Sequence, residues 1–266
     1  MAIQAVIFDF DDTLAPEAAS FEDALRNTAT LVTQNHSVSI DALVQAVRSG
    51  ARDYWRNSDL RHEGQLLGIS SSEVFSVGFW EAPAMMDRLA TLGEAMRPAV
   101  WRSALAAQGI HDEPLVSRLA ERSLKEGTGP HRPYNGTEGV LANLSKRLPL
   151  GVLTNGDSAV QRRKVDRSGL SGHLRHVVVS GDFGATAAKP DPLPFRHVLK
   201  ILGVLPENAV MIGDNPVNDI QGAKRVGMSA IWVNRHGSRF SDPLLPDAEI
   251  ADLSELPEAL DSLNRD

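Results

Sequence analysis

The 266-residue sequence contains no cysteine. This absence excludes disulfide bonds, zinc–thiolate sites and thiol catalysis, and it fits a protein from a reducing compartment. No apolar run approaches the roughly 20 residues that a membrane-spanning helix needs. The first eight residues include no basic residue, and Asp9 interrupts the first apolar run too early for a signal peptide. We therefore expect a cytoplasmic protein with no membrane partner.

Positive charge is also in short supply. The chain has 27 Lys and Arg against 34 Asp and Glu, for a formal net charge of −7. This balance gives no global electrostatic reason to bind nucleic acid, so we expect no such partner. Hydrophobic residues make up 42% of the chain, which is ordinary for a folded globular protein. The length suits one large domain or a core domain with an inserted second domain.

Short apolar segments predict five buried strands, over residues 3–8, 150–153, 176–179, 209–212 and 230–233. From residue 136 onward, helical patterns alternate with the last four strands, over residues 136–147, 158–168, 192–202 and 219–226. Strand–helix alternation predicts an α/β fold with a doubly wound parallel sheet that helices cover on both faces.

The stretch 15–133 has a different pattern. It is rich in Ala, Leu, Arg and Glu and shows no alternation of period two. Helices are predicted there over 21–34, 40–57, 84–96, 100–108 and 114–125. We therefore predict a core domain formed by residues 1–14 and 134–266, with an all-helical domain, residues 15–133, inserted after the first strand.

Two carboxylates, Asp9 and Asp11, follow the first predicted strand and are two positions apart. Side chains alternate along an extended chain, so both can project to the same side. Like charges this close repel each other, and burial makes each charge more costly. A cation between them would resolve both problems. The pair predicts a metal-assisted active site in which one carboxylate is free to act as a nucleophile.

Other polar residues stand where the remaining strands end. Thr154-Asn155-Gly156 ends the second predicted strand, Gly213-Asp214 ends the fourth, and Lys189 lies in the loop after the third. Each motif alone has an ordinary structural interpretation as a helix cap, a turn or a surface lysine. The carboxyl ends of parallel strands form the ligand crevice of such a sheet. Their joint occurrence in this order therefore favours one shared site.

Together these motifs resemble those of the haloacid dehalogenase (HAD) superfamily, in the phosphatase-like branch with a helical C1-type cap. The resemblance covers about residues 1–14 and 130–236. It implies a Rossmann-like core, with the 15–133 insertion as the cap that selects the substrate. Asp12 stands where many members have glycine. The matching motifs are Asp9-Phe10-Asp11-Asp12-Thr13-Leu14, Thr154-Asn155-Gly156, Lys189-Pro190 and Gly213-Asp214 through Asp219-Ile220.

The resemblance also implies a magnesium-dependent phosphatase that hydrolyses a small phosphorylated metabolite through a phospho-aspartate. Asp9 would be the nucleophile, and Asp11 would protonate the leaving group and then activate water. Oxygen ligands without His or Cys favour Mg²⁺ over zinc. The implied catalytic residues are Asp9, Asp11, Thr154 and Lys189; the phosphate-binding residues are Thr154, Asn155, Gly156 and Lys189; the metal-binding residues are Asp9, Asp11 through its backbone carbonyl, Asp214 and Asp219.

Several alternatives stay open. A phosphomutase of the same family would keep the phospho-aspartate and return the phosphoryl group to a bound sugar. A 2-haloacid dehalogenase would use the same nucleophile on carbon. That branch needs no magnesium and lacks the second carboxylate of the first motif, so Asp11 and the Asp214/Asp219 pair argue against it. A non-catalytic binding module is a further alternative, although no member of the catalytic set is missing. The sequence is compatible with a monomer or a homodimer.

Overall fold

The computed structural model describes residues 2–76, 84–184, 187–240 and 245–264. The chain divides into two compact units: a core unit, Met1–Pro16 with His131–Asp266, and a helical unit, Glu17–Pro130. The core unit thus includes residues that we predicted to lie in the insertion, 15–16 and 131–133. Ala15 is fully packed in the core, and its carbonyl accepts a hydrogen bond from the Asp12 amide, so the insertion begins after it.

The core unit is built on a parallel six-stranded sheet in the order β3-β2-β1-β4-β5-β6. The five predicted strands are present, which confirms the doubly wound α/β fold. The sixth strand was missed, because three residues with a central glutamate carry no apolar signal. The strands are β1 (Ala5–Phe8), β2 (Leu150–Thr154), β3 (His176–Val179), β4 (Ala209–Gly213), β5 (Ser229–Val233) and β6 (Ala248–Ile250).

Strand β1 lies in the middle of the sheet and is buried along its whole length. Because side chains alternate across a strand, Val6 and Phe8 pack into the apolar cluster on one face, and Ala5 and Ile7 pack into the cluster on the other. The other strands and the helices of the core unit supply most of the rest of both clusters. The helices of the core unit are α7 (Thr137–Leu144), α8 (Ser158–Arg167), α9 (Pro192–Leu202), α10 (Gly222–Arg225) and α11 (Leu256–Leu263).

The described part of the helical unit contains helices and no strand. Within it α1 packs on α6, and α2 packs on α5. The segments 84–96 and 100–108, predicted separately, form one helix that continues through Pro98. No helix among the described residues is long and apolar enough to span a membrane. The bounds are α1 (Glu17–Thr33), α2 (Ile40–Arg56), α3 (Arg61–Leu66), α4 (Ser71–Ser76), α5 (Ala84–Ala106) and α6 (Glu113–Gly127).

Candidate active site

The polar motifs converge where the strand order of the sheet reverses. Strand β1 pairs with β2 on one side and with β4 on the other. Asp9 directly follows β1, Thr154 is the last residue of β2, and Gly213 is the last residue of β4. In a doubly wound sheet this switch point opens a crevice outside the carboxyl ends of the strands. The first-motif aspartates therefore emerge at the centre of the crevice.

A buried lysine joins two of the carboxylates. The Lys189 Nζ donates to Asp9 Oδ1 at 2.6 Å, to Asp219 Oδ1 at 2.7 Å and to the Leu153 carbonyl at 2.8 Å. These three bonds use all three ammonium protons. Burial opposes the lysine charge, but the charges of Asp219 and Asp9 outweigh it and raise the pKa of Lys189. The lysine is thus a fixed cation between two fixed anions.

The carboxylates crowd one another strongly enough to change their pKa values. Burial raises the pKa of Asp9 to about 6; the Asp219 charge adds to this increase, and Lys189 opposes it. Burial, with the charges of Asp9 and Asp219, raises the pKa of Asp214 to about 8. One oxygen each from Asp9, Asp214 and Asp219 lies within 4.8 Å of the others. This all-oxygen donor set fits a hard divalent cation such as Mg²⁺, whose charge would offset the repulsion.

Asp219 is held from both of its oxygens. Oδ1 accepts from Lys189, and Oδ2 accepts from the Asn215 amide at 3.0 Å. The aspartate lies on a π-helical turn, Pro216–Gln221, so the helix predicted over 219–226 is wrong at its start: α10 begins only at Gly222. A Cβ on Gly213 would collide with the Asp219 carboxylate. Both oxygens of Asp219 therefore have a protein partner, which fixes the orientation of its carboxylate.

Asp214 is fixed by its backbone and by the first motif. The buried Thr13 hydroxyl accepts from the Asp214 amide at 3.1 Å and donates to Asp214 Oδ1 at 3.3 Å. The Trp232 indole donates to the Asp214 carbonyl at 2.8 Å. Asp12 precedes Thr13 with a φ of 59°, in the left-handed region that favours glycine and tolerates aspartate. This geometry accounts for the glycine that many resembling sequences have there.

The Thr154-Asn155-Gly156 turn also supports Lys189. The Asn155 side chain donates to the Lys189 carbonyl at 3.1 Å and accepts from the Lys189 amide at 2.8 Å. The Gly156 amide donates to the Ser180 hydroxyl at 3.3 Å. The turn is thus part of the site, but the Asn155 side chain holds the backbone of the catalytic lysine candidate. The phosphate-binding roles of Asn155 and Gly156 stay predictions.

Asp11 has partners that sequence reasoning missed. Its Oδ2 accepts from the Lys164 Nζ at 2.7 Å and from the Gln161 amide at 3.1 Å, both on α8. Gln161 Oε1 in turn accepts from the Thr154 hydroxyl at 3.3 Å. Asp11 Oδ1 is buried and has no hydrogen-bond partner among the residues that the structure describes. The available signal was spacing, because residues three apart share a helix face.

An acidic cluster with a buried lysine at the switch point of a parallel sheet is a candidate active site of an α/β enzyme. The chain belongs to the haloacid dehalogenase-like hydrolase family, whose model matches residues 3–227, and this confirms the resemblance. It is 33% identical over 262 residues to the phosphoserine phosphatase of Thermus thermophilus, covering 97% of this chain and 100% of the relative.

Two further relatives cover nearly the whole chain. The glyceraldehyde 3-phosphate phosphatase of Methanopyrus kandleri is 27% identical over 272 residues, covering 99% of this chain and 100% of the relative. The crystal structure of a 2-haloacid dehalogenase from Pseudomonas syringae pv. Tomato is 30% identical, with a TM-score of 0.55, covering 98% of this chain and 99% of that chain. The relatives thus include proteins named as phosphatases and one named as a dehalogenase.

Proposed function

We propose that this protein is a magnesium-dependent phosphatase that hydrolyses a phosphate monoester of a small metabolite through a phospho-aspartate. The relatives named as phosphoserine and glyceraldehyde 3-phosphate phosphatases support this class of substrate. The observation that carries the proposal is that the two carboxylates of the first motif have different surroundings and different lysine partners. Asp9 lies in the cluster of three carboxylates and pairs with Lys189, whereas Asp11 lies outside that cluster and pairs with Lys164. A nucleophile and a separate proton carrier are what phosphoryl transfer through an aspartate requires.

In the first step Asp9 attacks phosphorus. The bond between the Asp9 oxygen and phosphorus forms as the bond from phosphorus to the substrate oxygen breaks, and protonated Asp11 gives its proton to that oxygen. The alcohol leaves, and Asp9 carries the phosphoryl group. The Lys189 ammonium offsets the negative charge that Asp9 shares with the phosphoryl oxygens. The start of α8, just beyond Thr154, is a helix N-terminus that favours an anion.

In the second step the Asp11 carboxylate takes a proton from water. The water oxygen bonds to phosphorus, the bond from phosphorus to Asp9 breaks, and inorganic phosphate leaves. Asp9 is again a carboxylate and Asp11 again carries a proton. General acid–base catalysis of this kind contributes about 10²–10⁴-fold in rate.

The acidic cluster would hold Mg²⁺ through the carboxylates of Asp9 and Asp214 and the backbone carbonyl of Asp11, with support from Asp219. When bound, the ion supplies positive charge that offsets the repulsion between an anionic nucleophile and a phosphate dianion. The raised pKa values of Asp9 and Asp214 support this assignment, since uncompensated carboxylates resist ionisation there.

The test is phosphate release from p-nitrophenyl phosphate, phosphoserine, glyceraldehyde 3-phosphate and a panel of sugar and nucleotide phosphates, with Mg²⁺ and with EDTA. We expect Mg²⁺-dependent release that Asp9→Asn abolishes. No release from any compound, by a protein that still binds Mg²⁺, would overturn the proposal. A phosphomutase would instead transfer phosphate between sugar positions without releasing inorganic phosphate in step with turnover.

One observation favours a second candidate, 2-haloacid dehalogenation, because a structural relative of 30% identity carries that name. Asp9 would then attack carbon, and a halide ion would leave. This reaction needs no cation beside Asp9 and so gives no role to Asp214, whose pKa is raised by burial and by the charges of Asp9 and Asp219. Chloride release from 2-chloropropionate that persists in EDTA would support the second candidate over the first.

A further inference from the structure

The second carboxylate of the first motif, Asp11, accepts hydrogen bonds through only one of its two oxygens among the described residues. Lys164 and Gln161 both bind its Oδ2, at 2.7 and 3.1 Å. Its Oδ1 is buried and has no partner among the described residues. A buried oxygen without a hydrogen-bond partner is costly, so a native site keeps one only for a reason. Asp11 is thus fixed through Oδ2, while Oδ1 makes no competing hydrogen bond among the described residues.

The two residues that bind Asp11, Lys164 and Gln161, are themselves held in place by burial and by their helix. Lys164 and Gln161 are buried, with 4% and 1% of their surface exposed. They lie three apart on α8, whose start is capped by the Asp157 carboxylate bonding the Val160 amide at 2.9 Å. One turn further on, Val165 packs into the apolar cluster of the core unit. The helix therefore holds Asp11 in place through two buried side chains, Lys164 and Gln161, and not through flexible side chains at the surface.

Gln161 also connects the two halves of the site. Its amide nitrogen donates to Asp11, and its amide oxygen accepts from the Thr154 hydroxyl at 3.3 Å. Gly156, with a φ of 129°, leaves the space for this side chain, because a Cβ there would meet the Gln161 amide nitrogen at 2.9 Å. The phosphate-binding candidate and the acid–base candidate thus share one amide group.

We propose that Lys164 and Gln161 are positioning residues that hold the Asp11 carboxylate by Oδ2 and orient it for proton transfer to the substrate oxygen whose bond to phosphorus breaks. This inference rests on the proposed phosphatase function and adds to it the groups that make Asp11 an effective acid and base. Neither residue touches the substrate in this scheme; both act through Asp11.

Positioning of an acid predicts a dependence on the leaving group. A phenoxide that is a poor leaving group needs the proton, whereas p-nitrophenoxide departs largely without it. In Lys164→Met we therefore expect kcat/KM to fall at least about tenfold for phenyl phosphate and much less for p-nitrophenyl phosphate. The ratio of kcat/KM for p-nitrophenyl phosphate to kcat/KM for phenyl phosphate should therefore rise by a similar factor. Gln161→Leu should shift the ratio in the same direction.

The experiment measures kcat and KM for a series of aryl phosphates from p-nitrophenyl to phenyl, with saturating Mg²⁺. Lys164→Arg keeps a cation beside Asp11 and should restore most of the phenyl phosphate rate. Lys200→Met, on an exposed position of α9, is the matched control and should leave the ratio unchanged. In an Asp11→Asn background, Lys164→Met should cause no further shift of the ratio, because residues that act through one group are not additive.

The outcomes separate the two proposals. If the unaltered protein hydrolyses aryl phosphates but Lys164→Met lowers both rates equally, the positioning role is wrong and the phosphatase function stands. A further shift of the ratio in the Asp11→Asn background would likewise overturn the positioning role. If the unaltered protein hydrolyses no aryl phosphate or other monoester, the phosphatase function fails, and the positioning role fails with it. Thermal unfolding of each variant shows whether a rate change reflects a loss of fold.

Discussion

Two aspartate–lysine pairs occupy the same crevice in different surroundings. In the inner pair, the side chain of Lys189 is 2% exposed and that of Asp9 is 10% exposed, and Asp219 shares the lysine. In the outer pair, the side chain of Lys164 is 4% exposed, but that of Asp11 is 19% exposed. Both pairs are short, at 2.6 and 2.7 Å. The difference lies in what surrounds each carboxylate.

This contrast follows from what each carboxylate does in the proposed reaction. A nucleophile has to remain ionised in one place, so a fully enclosed lysine and a neighbouring cation site suit Asp9. A proton carrier has to change its charge during turnover, which suits Asp11, because its side chain is partly exposed and its Oδ1 makes no hydrogen bond among the described residues. The inner pair thus keeps Asp9 ionised, whereas the outer pair holds the Asp11 carboxylate in one orientation.

Asp9→Asn removes the nucleophile at nearly constant shape and should have the largest effect. We expect phosphate release to fall by more than about 10³-fold, because no covalent intermediate can form. Melting temperature should change little, since Lys189 keeps Asp219 and the Leu153 carbonyl as partners. Asp166→Asn, an exposed position on α8, is the matched control. Activity of more than a few per cent in Asp9→Asn would contradict the nucleophile assignment.

The two lysines should differ in their effect on stability. Lys189→Met leaves Asp9 and Asp219 buried without a cation, and breaking a buried pair in this way costs about 3–5 kcal/mol. Lys164→Met should cost about 1–2 kcal/mol, because Asp11 keeps Gln161 and contact with water. Urea unfolding of both variants in EDTA measures the difference. Equal losses would mean that the two pairs are not distinguished by burial.

Asn155→Ala tests the inner pair without touching a charge. The Asn155 side chain makes two hydrogen bonds to the Lys189 backbone, and their loss should cost about 1–3 kcal/mol. We expect kcat to fall about tenfold for p-nitrophenyl and phenyl phosphate alike, because Lys189 is displaced and Asp11 is not. Asn143→Ala, exposed on α7, serves as the control. A shift in the ratio of the two rates would assign Asn155 to the outer pair instead.

The inner pair could be predicted from the sequence, and the outer pair could not. Asp9, Asp214 and Lys189 each stand at the end of a strand or in the loop beyond it, so the order of strands and motifs is enough to bring them together. Lys164 and Gln161 lie inside a helix that looks polar, where burial depends on how the helix packs on the sheet. Strand β6 and the π-helical turn at Asp219 were missed for a similar reason, because tertiary contacts rather than local pattern determine them.

The smallest expected effect is a pH dependence of stability that belongs to the inner cluster. Burial raises the pKa of Asp9 from 3.8 to about 6 and, with the neighbouring carboxylates, that of Asp214 to about 8. The folded protein therefore binds more protons than the unfolded chain between about pH 4 and pH 8, so these groups stabilise the fold less as pH rises through this window. In EDTA, the melting temperature should fall by at least about 2–4 °C from pH 5.5 to pH 8.

Added Mg²⁺ should raise the melting temperature more at pH 8 than at pH 5.5, because protons compete with the ion for the same carboxylate oxygens. Asp214→Asn removes one of these two carboxylates and should flatten both responses. An equal response to Mg²⁺ at both pH values would separate the cation site from these carboxylates.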